Sequence, residues 1–339
     1  MGEQFKWNPS GERLGQMLRQ AVYMEDGVTL EHLLKQRADL EAKDESGATP
    51  LHIAALQCKP TMLEWLLRRG ADLHAKDGEG YSSLIWACVR GHTPVVAALL
   101  SARADIEAVA DSVGKTPLAL SAERGHFDCV QELLARRAQI EAPNRDGSTA
   151  LMCAAHHCET QVVAHLLERQ AVVNAVDNQG WTALMYAVNS RLPAGSAGGE
   201  ASEPKINLDG VWGKRTTMEL MLLHGADVNA QTHDGLTPLI IVSSRDRPIA
   251  VKKLLEARAN VNAVTAKGQS ALIMAAAHDQ QQVVRALLLG QADVNNANEQ
   301  KDTPLSLSEK YGYKEVVDLL KKAGAIEPKA GKKKKGKKK

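Results

Sequence analysis

Hydrophobic and polar positions along the chain repeat with a period close to 33 residues. Each period begins with a Thr or Ser before a short apolar run, continues with a second apolar run at helical spacing, and closes with a polar stretch. The leading residue recurs at steps of 33, 34, 33, 33, 55, 33 and 33 residues. Such a period predicts a repeat protein rather than a domain with one central core. The eight anchor residues are Thr49, Ser82, Thr116, Thr149, Thr182, Thr237, Ser270 and Thr303.

One period can be assigned secondary structure from its side chains. Thr49 suits a helix N-cap, because its hydroxyl can accept a hydrogen bond from a backbone N–H one turn on, and Pro50 suits the first helical position. A second helical run covers residues 62–67, and Gly70 lies where a helix ends in a left-handed residue. Each unit is therefore predicted to be a helix, a turn, a second helix and a hairpin-like loop. Since one unit cannot bury both apolar faces, the units must stack.

Several segments resemble the ankyrin repeat. Residues 49–55 read TPLHIAA, residues 116–118 read TPL, and residues 225–230 read GADVNA. The resemblance implies an all-α ankyrin-repeat solenoid, in which helix-turn-helix units are joined by β-hairpin-like loops and curve around a concave groove. It covers about nine tenths of the chain and implies about nine units over residues 11–327. The first unit, residues 11–41, is atypical because it lacks the anchor.

Three segments fall outside the regular pattern. Residues 1–10 are predicted to be a loosely ordered lead. The 55-residue step contains an insertion, residues 191–213, whose apolar end either folds back onto the solenoid or engages a partner. Residues 328–339 are predicted to be a disordered tail, since Lys329–Lys339 contain eight lysines and nothing to bury. Without those eight charges the formal net charge falls from +2 to −6, so the body of the protein is mildly acidic.

Composition predicts an intracellular protein. Of the 339 residues 24% are charged and 44% hydrophobic, and no apolar run reaches the ~20 residues that a membrane helix needs. The first residues lack the apolar core of a signal peptide, and the five cysteines are an odd number without a disulfide framework. We therefore expect a cytoplasmic or nuclear location and no secretion.

Motifs for catalysis or cofactor binding do not stand out. The sequence has no Gly-rich phosphate loop, nucleophile elbow or pair of catalytic carboxylates. The best candidate metal ligands are Cys153, His156, His157 and Cys158, but no second ligand pair lies at metal spacing. We expect no enzyme activity, no cofactor and no metal site.

The resemblance implies that partners contact the hairpin tips and the first helix of each unit, which line the groove. Tyr81 and Trp181 are predicted to be solvent-facing aromatic residues at two tips, and large aromatic side chains dominate many interfaces. Basic side chains near the centre of the groove, among them Arg90 and Arg124, favour an acidic protein face. The predicted partner-binding residues are Tyr81, Val89, Arg90, Lys115, Glu123, Arg124, Arg145, Ser148, His156, His157, Trp181, Asn189 and Leu236.

Two functions of different classes follow. The favoured one is a non-enzymatic scaffold or adaptor that binds a partner protein through the concave face. The alternative is a nucleic-acid- or ribosome-associated factor, or a structural subunit of a large assembly, that uses the basic tail Lys329–Lys339 to attract a polyanion. The alternative for the tail is a solvated extension that only increases solubility. The sequence leaves the partner's identity and the oligomeric state open.

Overall fold

The computed structural model describes residues 11–109, 114–190 and 216–326, and the backbone of residues 207–208 and 213–214. The predicted lead, most of the predicted insertion and the predicted tail lie outside the described residues. Eighteen helices in the described part form nine consecutive pairs, which confirms the predicted helix-turn-helix units. The helices are α1 (Gly11–Met24), α2 (Gly27–Lys35), α3 (Pro50–Leu56), α4 (Pro60–Arg68), α5 (Ser83–Arg90), α6 (Thr93–Ser101), α7 (Pro117–Glu123), α8 (Phe127–Ala135), α9 (Ala150–His156), α10 (Thr160–Glu168), α11 (Ala183–Asn189), α12 (Thr217–Leu223), α13 (Pro238–Ser243), α14 (Pro248–Glu256), α15 (Ala271–Ala277), α16 (Gln281–Leu289), α17 (Pro304–Tyr311) and α18 (Lys314–Lys322).

A short β-hairpin lies at the end of the predicted insertion. Strands β1 (Asn207–Leu208) and β2 (Gly213–Lys214) pair antiparallel, with Asn207 opposite Lys214. These strands were not predicted, because a segment of two residues is too short to show a strand pattern. Residues 191–206 and 209–212 lie outside the described part of the chain, so the role of the insertion stays a prediction.

Most anchor residues cap the first helix of their unit as predicted. The Thr116 hydroxyl accepts a hydrogen bond from the Ala119 N–H at 3.2 Å, and the Thr303 hydroxyl accepts one from the Ser306 N–H at 3.1 Å. A cap of this kind stabilises a helix by about 1 kcal/mol. Two anchors differ. The Thr49 hydroxyl lies 2.8 Å from His52 Nδ1 and accepts no capping bond from a backbone N–H, and the Thr149 hydroxyl oxygen is buried without a hydrogen-bond partner.

Left-handed residues end the second helices, and several of them are not glycine. Gly70 has φ +90°, but Arg103 and Arg137 occupy the corresponding position with φ +69° and +68°. A side chain in this conformation costs about 1–2 kcal/mol. The turn is held by backbone bonds such as the one from the Ala104 N–H to the Leu99 carbonyl at 3.0 Å. An arginine in place of glycine at these turns therefore lowers stability without changing the fold.

Contacts divide the described chain into two compact units. The N-terminal unit contains the described residues up to Asn178, together with β1, β2, Thr216 and Thr217. The C-terminal unit contains the described residues from Gln179 to Ser190 and from Met218 onward.

Small and branched apolar side chains form the core of each unit. In the N-terminal unit α3, α5, α7 and α9 pack in succession, as do α4, α6 and α8. Ala54 and Ala55 are 0% exposed, so neighbouring first helices approach closely there. In the C-terminal unit α11, α13, α15 and α17 pack in the same succession. The apolar periodicity thus reflects stacking of one unit on the next.

Hydrogen bonds between successive loops hold the hairpin tips in register. In the N-terminal unit the Gly78 N–H donates to the Ser46 carbonyl at 2.9 Å, and the Arg145 N–H donates to the Gly114 carbonyl at 2.8 Å. In the C-terminal unit the Asn262 side-chain oxygen accepts from the Asp293 N–H at 2.8 Å. These bonds fix the spacing of the loops that present side chains to solvent.

Candidate partner-binding surface

The hairpin tips before α3, α5, α7 and α9, with the solvent-facing sides of these helices, form what we call the tip surface. It lies within the N-terminal unit and carries ten of the thirteen predicted partner-binding residues. Five are exposed, namely Arg90, Arg124, Arg145, His156 and His157. Four are half-buried, namely Tyr81, Val89, Lys115 and Glu123. Ser148 is buried, and Trp181, Asn189 and Leu236 are half-buried in the C-terminal unit.

Tyr81 is packed at its tip rather than fully solvent-facing. Its ring lies 5.1 Å from the Trp86 ring, centroid to centroid, and with Val89 it covers the buried Ile85. The Trp86 indole N–H donates to an Asp77 carboxylate oxygen at 2.7 Å, so the aromatic pair is fixed in orientation. The prediction of a free aromatic tip is wrong in this respect. A rigid, half-exposed aromatic pair remains available for contact.

Trp181 is arranged in the same way in the C-terminal unit. Its ring lies 5.2 Å from that of Tyr186, centroid to centroid, and both residues are half-buried. Sequence reasoning did not select Trp86 or Tyr186 as partner-binding residues. The signal was present, because each lies five residues after the aromatic tip residue, where other units have Ile53 or other apolar residues.

Lys115 is not a free positive charge. Its ammonium group forms an ion pair with the Glu123 carboxylate on α7. Burial is the largest single effect and disfavours the charged ammonium, but the hydrogen bond to Glu123, together with the charges of Glu123 and Asp146 and the nearby Cys153, outweighs burial and raises the pKa of Lys115. The two charges largely cancel at the surface, so Lys115 adds less to the predicted basic character than the sequence indicated.

Arg90, Arg124 and His157 occupy equivalent positions in three successive units. Each lies eight residues after its anchor, at the C-terminal end of α5, α7 or α9. Packed helices lie about 8–10 Å apart, so these side chains follow one another at about that spacing. We call these three residues the basic column. The arginines carry permanent charge, whereas the imidazole is charged only when protonated.

The two adjacent histidines contact each other at the end of α9. Their ring centroids are 4.9 Å apart in an edge-to-face arrangement. His157 Nδ1 lies 3.2 Å from the Cys153 carbonyl oxygen, which can only accept, so Nδ1 carries the proton. Its Nε2 lies 3.9 Å from a Glu123 carboxylate oxygen. Partial burial lowers the pKa of His156, and so do the neighbouring His157 and Lys115, against the opposing effect of Glu123.

Ser148 and Cys153 belong to a buried polar group beneath the tip surface. The Ser148 hydroxyl donates to Asp146 at 2.6 Å and accepts from the Asn144 amide at 2.9 Å. The Ser148 side chain is only 4% exposed, which corrects its prediction as a contact residue. Burial raises the pKa of Cys153 to about 11, so its thiol is protonated at neutral pH. A protonated thiol is a poor nucleophile and metal ligand.

The described residues contain neither a metal-binding cluster nor a membrane-spanning helix. Among them no group of three His, Cys, Asp or Glu side chains is placed to hold a metal ion. Within the same residues, no helix combines the length and apolar character needed to cross a membrane.

The paired helices, capped anchors and linked hairpin tips define a helical repeat protein of the kind used for binding other macromolecules. The family model for ankyrin repeats, described as three copies, matches residues 18–110, 58–144, 118–194, 211–298 and 249–331. The chain belongs to the ankyrin-repeat family. A search of curated proteins returns no match.

Among solved structures, the chain is similar to an ankyrin repeat domain from Acinetobacter baumannii AYE. The two are 30% identical in sequence with a TM-score of 0.51, and the match covers 62% of this chain and 98% of that one. Ankyrin repeats generally act as protein–protein interaction modules. The comparisons therefore confirm the predicted fold and the general class of function.

Proposed function

We propose that this protein is a non-enzymatic adaptor or scaffold that binds an acidic segment of another protein at the tip surface. The observation that carries the proposal is the basic column beside the Tyr81–Trp86 pair. Arg90 and Arg124 are exposed and lie at equivalent positions of successive units. Aromatic and arginine side chains are the types that contribute most to binding energy in protein interfaces.

The spacing of the basic column favours an extended partner segment. Consecutive units place the column residues about 8–10 Å apart, and an extended chain advances about 3.3 Å per residue. Acidic residues three positions apart in the partner therefore match successive column residues. The Tyr81–Trp86 pair offers an apolar contact next to this charged row. In the C-terminal unit, the proposed partner contacts are Trp181, which pairs with Tyr186 as Tyr81 does with Trp86, together with Asn189 and Leu236.

Charge reversal at the column tests the proposal. Both arginines are exposed, so Arg90→Glu together with Arg124→Glu should leave the circular dichroism spectrum unchanged. The expected result is a loss of partner affinity of at least about tenfold, or about 1.4 kcal/mol. The partner to measure is a protein that the wild type captures from a cell extract and that is identified before any variant is tested.

A matched control separates the site from net charge. Arg285 is also exposed but lies on α16, the second helix of its unit, away from any hairpin tip. The single variants Arg90→Glu and Arg285→Glu change the net charge by the same amount. Similar losses of affinity for the two would contradict a binding site at the tip surface.

A polyanion remains a second candidate partner because of the lysine tail. Residues 329–339 contain eight lysines, which would attract nucleic acid in a salt-dependent manner. Deleting residues 329–339 should abolish nucleic-acid binding if the tail carries it, and unchanged binding would remove this candidate. An intracellular location agrees with the finding that the five cysteines, all within the described residues, form no disulfide.

A further inference from the structure

We propose that His156 and His157 bind a carboxylate of the acidic partner segment and that this binding takes up a proton, an inference that rests on the proposed function. His157 continues the column of Arg90 and Arg124 to the next unit. The two imidazoles are exposed and in contact, with ring centroids 4.9 Å apart. The two exposed rings therefore form one imidazole patch at the end of α9.

Charged groups from the neighbouring elements of the N-terminal unit face this pair. Glu123 on α7 lies 3.9 Å from His157 Nε2, and Lys115 in the hairpin tip forms an ion pair with Glu123. Glu159, which precedes α10, interacts electrostatically with His157. The histidine pair therefore lies near two carboxylates, those of Glu123 and Glu159, and one ammonium group, that of Lys115.

Protonation changes what this part of the surface can bind. With neutral imidazoles, the Lys115 charge is already matched by Glu123 and the position has no net positive charge to offer. With both rings protonated, the same position gains two positive charges next to the column arginines. The basic column is then continuous over three units, and a carboxylate three residues further along the partner gains a cationic contact.

The direction of the pH effect follows from linkage. The pKa of His156 is lowered in the free protein by partial burial and by His157 and Lys115. A bound carboxylate favours the protonated ring and raises that pKa. Binding is therefore strongest below the lowered pKa of the free protein, and it weakens as the pH rises from there through the raised pKa of the complex. The arginines and the lysine tail keep their charge between pH 5.5 and 7.5, so they add a background that does not change with pH.

Decaaspartate is a suitable probe, because its carboxylates stay ionised between pH 5.5 and 7.5. The full-length protein should bind it about tenfold more tightly at pH 5.5 than at pH 7.5. The double variant His156→Gln and His157→Gln should reduce this ratio to less than about twofold.

His278 provides the matched control for this titration. It lies eight residues after its own anchor, as His157 does, and its Nδ1 lies 2.8 Å from the Met274 carbonyl oxygen. Ala277 precedes His278, at the position that His156 occupies before His157. The variant His278→Gln should keep the full pH ratio of the wild type. Equal ratios in the two histidine variants, or no binding of decaaspartate by the wild type at pH 5.5, would overturn the inference.

A spectroscopic readout distinguishes binding from a change in folding. Ring signals of His156 in the NMR spectrum should titrate at higher pH with decaaspartate than without it, while those of His278 should not move. An unmoved His156 titration would overturn the inference even if affinity depended on pH. Loss of partner capture in the Arg90→Glu and Arg124→Glu variant would in that case still support the proposed function, so the two failures can be told apart.

Discussion

Replacing His52 by alanine should destabilise the N-terminal unit by about 1–3.5 kcal/mol. The His52 side chain is 0% exposed, and its Nδ1 accepts a hydrogen bond from the Thr49 N–H at 3.2 Å. Its Nε2 donates to the Tyr81 carbonyl at 3.0 Å, which links one unit to the next. Losing the cap interaction costs about 0.5–2 kcal/mol. Losing the bond to the Tyr81 carbonyl costs about 0.5–1.5 kcal/mol, because that carbonyl keeps the Asp77 N–H as a second donor at 3.0 Å.

His52 also makes stability depend on pH. Burial lowers the pKa of His52 below its usual value of 6.5, although the bond to Tyr81 and the nearby Asp77 oppose this. The unfolded chain therefore binds more protons than the folded one just below that value. The stabilisation is complete above pH 6.5 and is lost as the pH falls through 6.5 toward the lowered pKa. His52→Gln should remove this part of the pH dependence.

Urea unfolding followed by circular dichroism at pH 7.5 and pH 5.5 measures both effects. Because repeat proteins need not unfold in one step, hydrogen exchange at the Thr49 amide supplies a local readout and should become faster in the variant. His74, which is exposed in a loop, provides the control His74→Ala. A change below about 0.5 kcal/mol for His52→Ala, a size typical of surface substitutions, would refute the reasoning.

Two further predictions concern packing and loop ties. Leu133→Ala, at a side chain with 0% exposure, should lower the free energy of unfolding by about 2–5 kcal/mol. Leu289→Ala, at 83% exposure, should change it by less than about 0.5 kcal/mol. Equal effects of the two variants in urea unfolding would contradict the described core. The Asp293 N–H donates to the Asn262 side-chain oxygen at 2.8 Å. Asn262→Ala should therefore lower the free energy of unfolding by about 1 kcal/mol and speed hydrogen exchange at the Asp293 amide. An unchanged exchange rate would contradict this hydrogen bond between successive loops.

The repeat architecture could be predicted because its determinants are local. The anchor hydroxyls, the prolines after them and the apolar runs specify helix starts and buried faces within a single unit. Even the unusual left-handed arginines could be anticipated, since Arg103 and Arg137 stand where the pattern has a glycine. The two-residue strands β1 and β2 carry too little pattern to be recognised.

The candidate site was predicted less completely because its features depend on which side chains meet across units. The sequence marks Lys115 and Glu123 as charged but does not show that they neutralise each other. Ser148 lies at a tip position, yet its hydroxyl turns inward to Asp146 and Asn144. The position of each residue within a unit was predictable, and its contacts required the stacked structure.

Hydrogen exchange of the protein with and without its captured partner tests the central claim most directly. The partner is the protein that the wild type captures from a cell extract and that is identified before any variant is tested. We predict protection in residues 77–81, in residues 144–148 and at the C-terminal ends of α5, α7 and α9. Protection confined to the second helices α4, α6, α8 and α10, with the hairpin tips exchanging as in the free protein, would contradict the account.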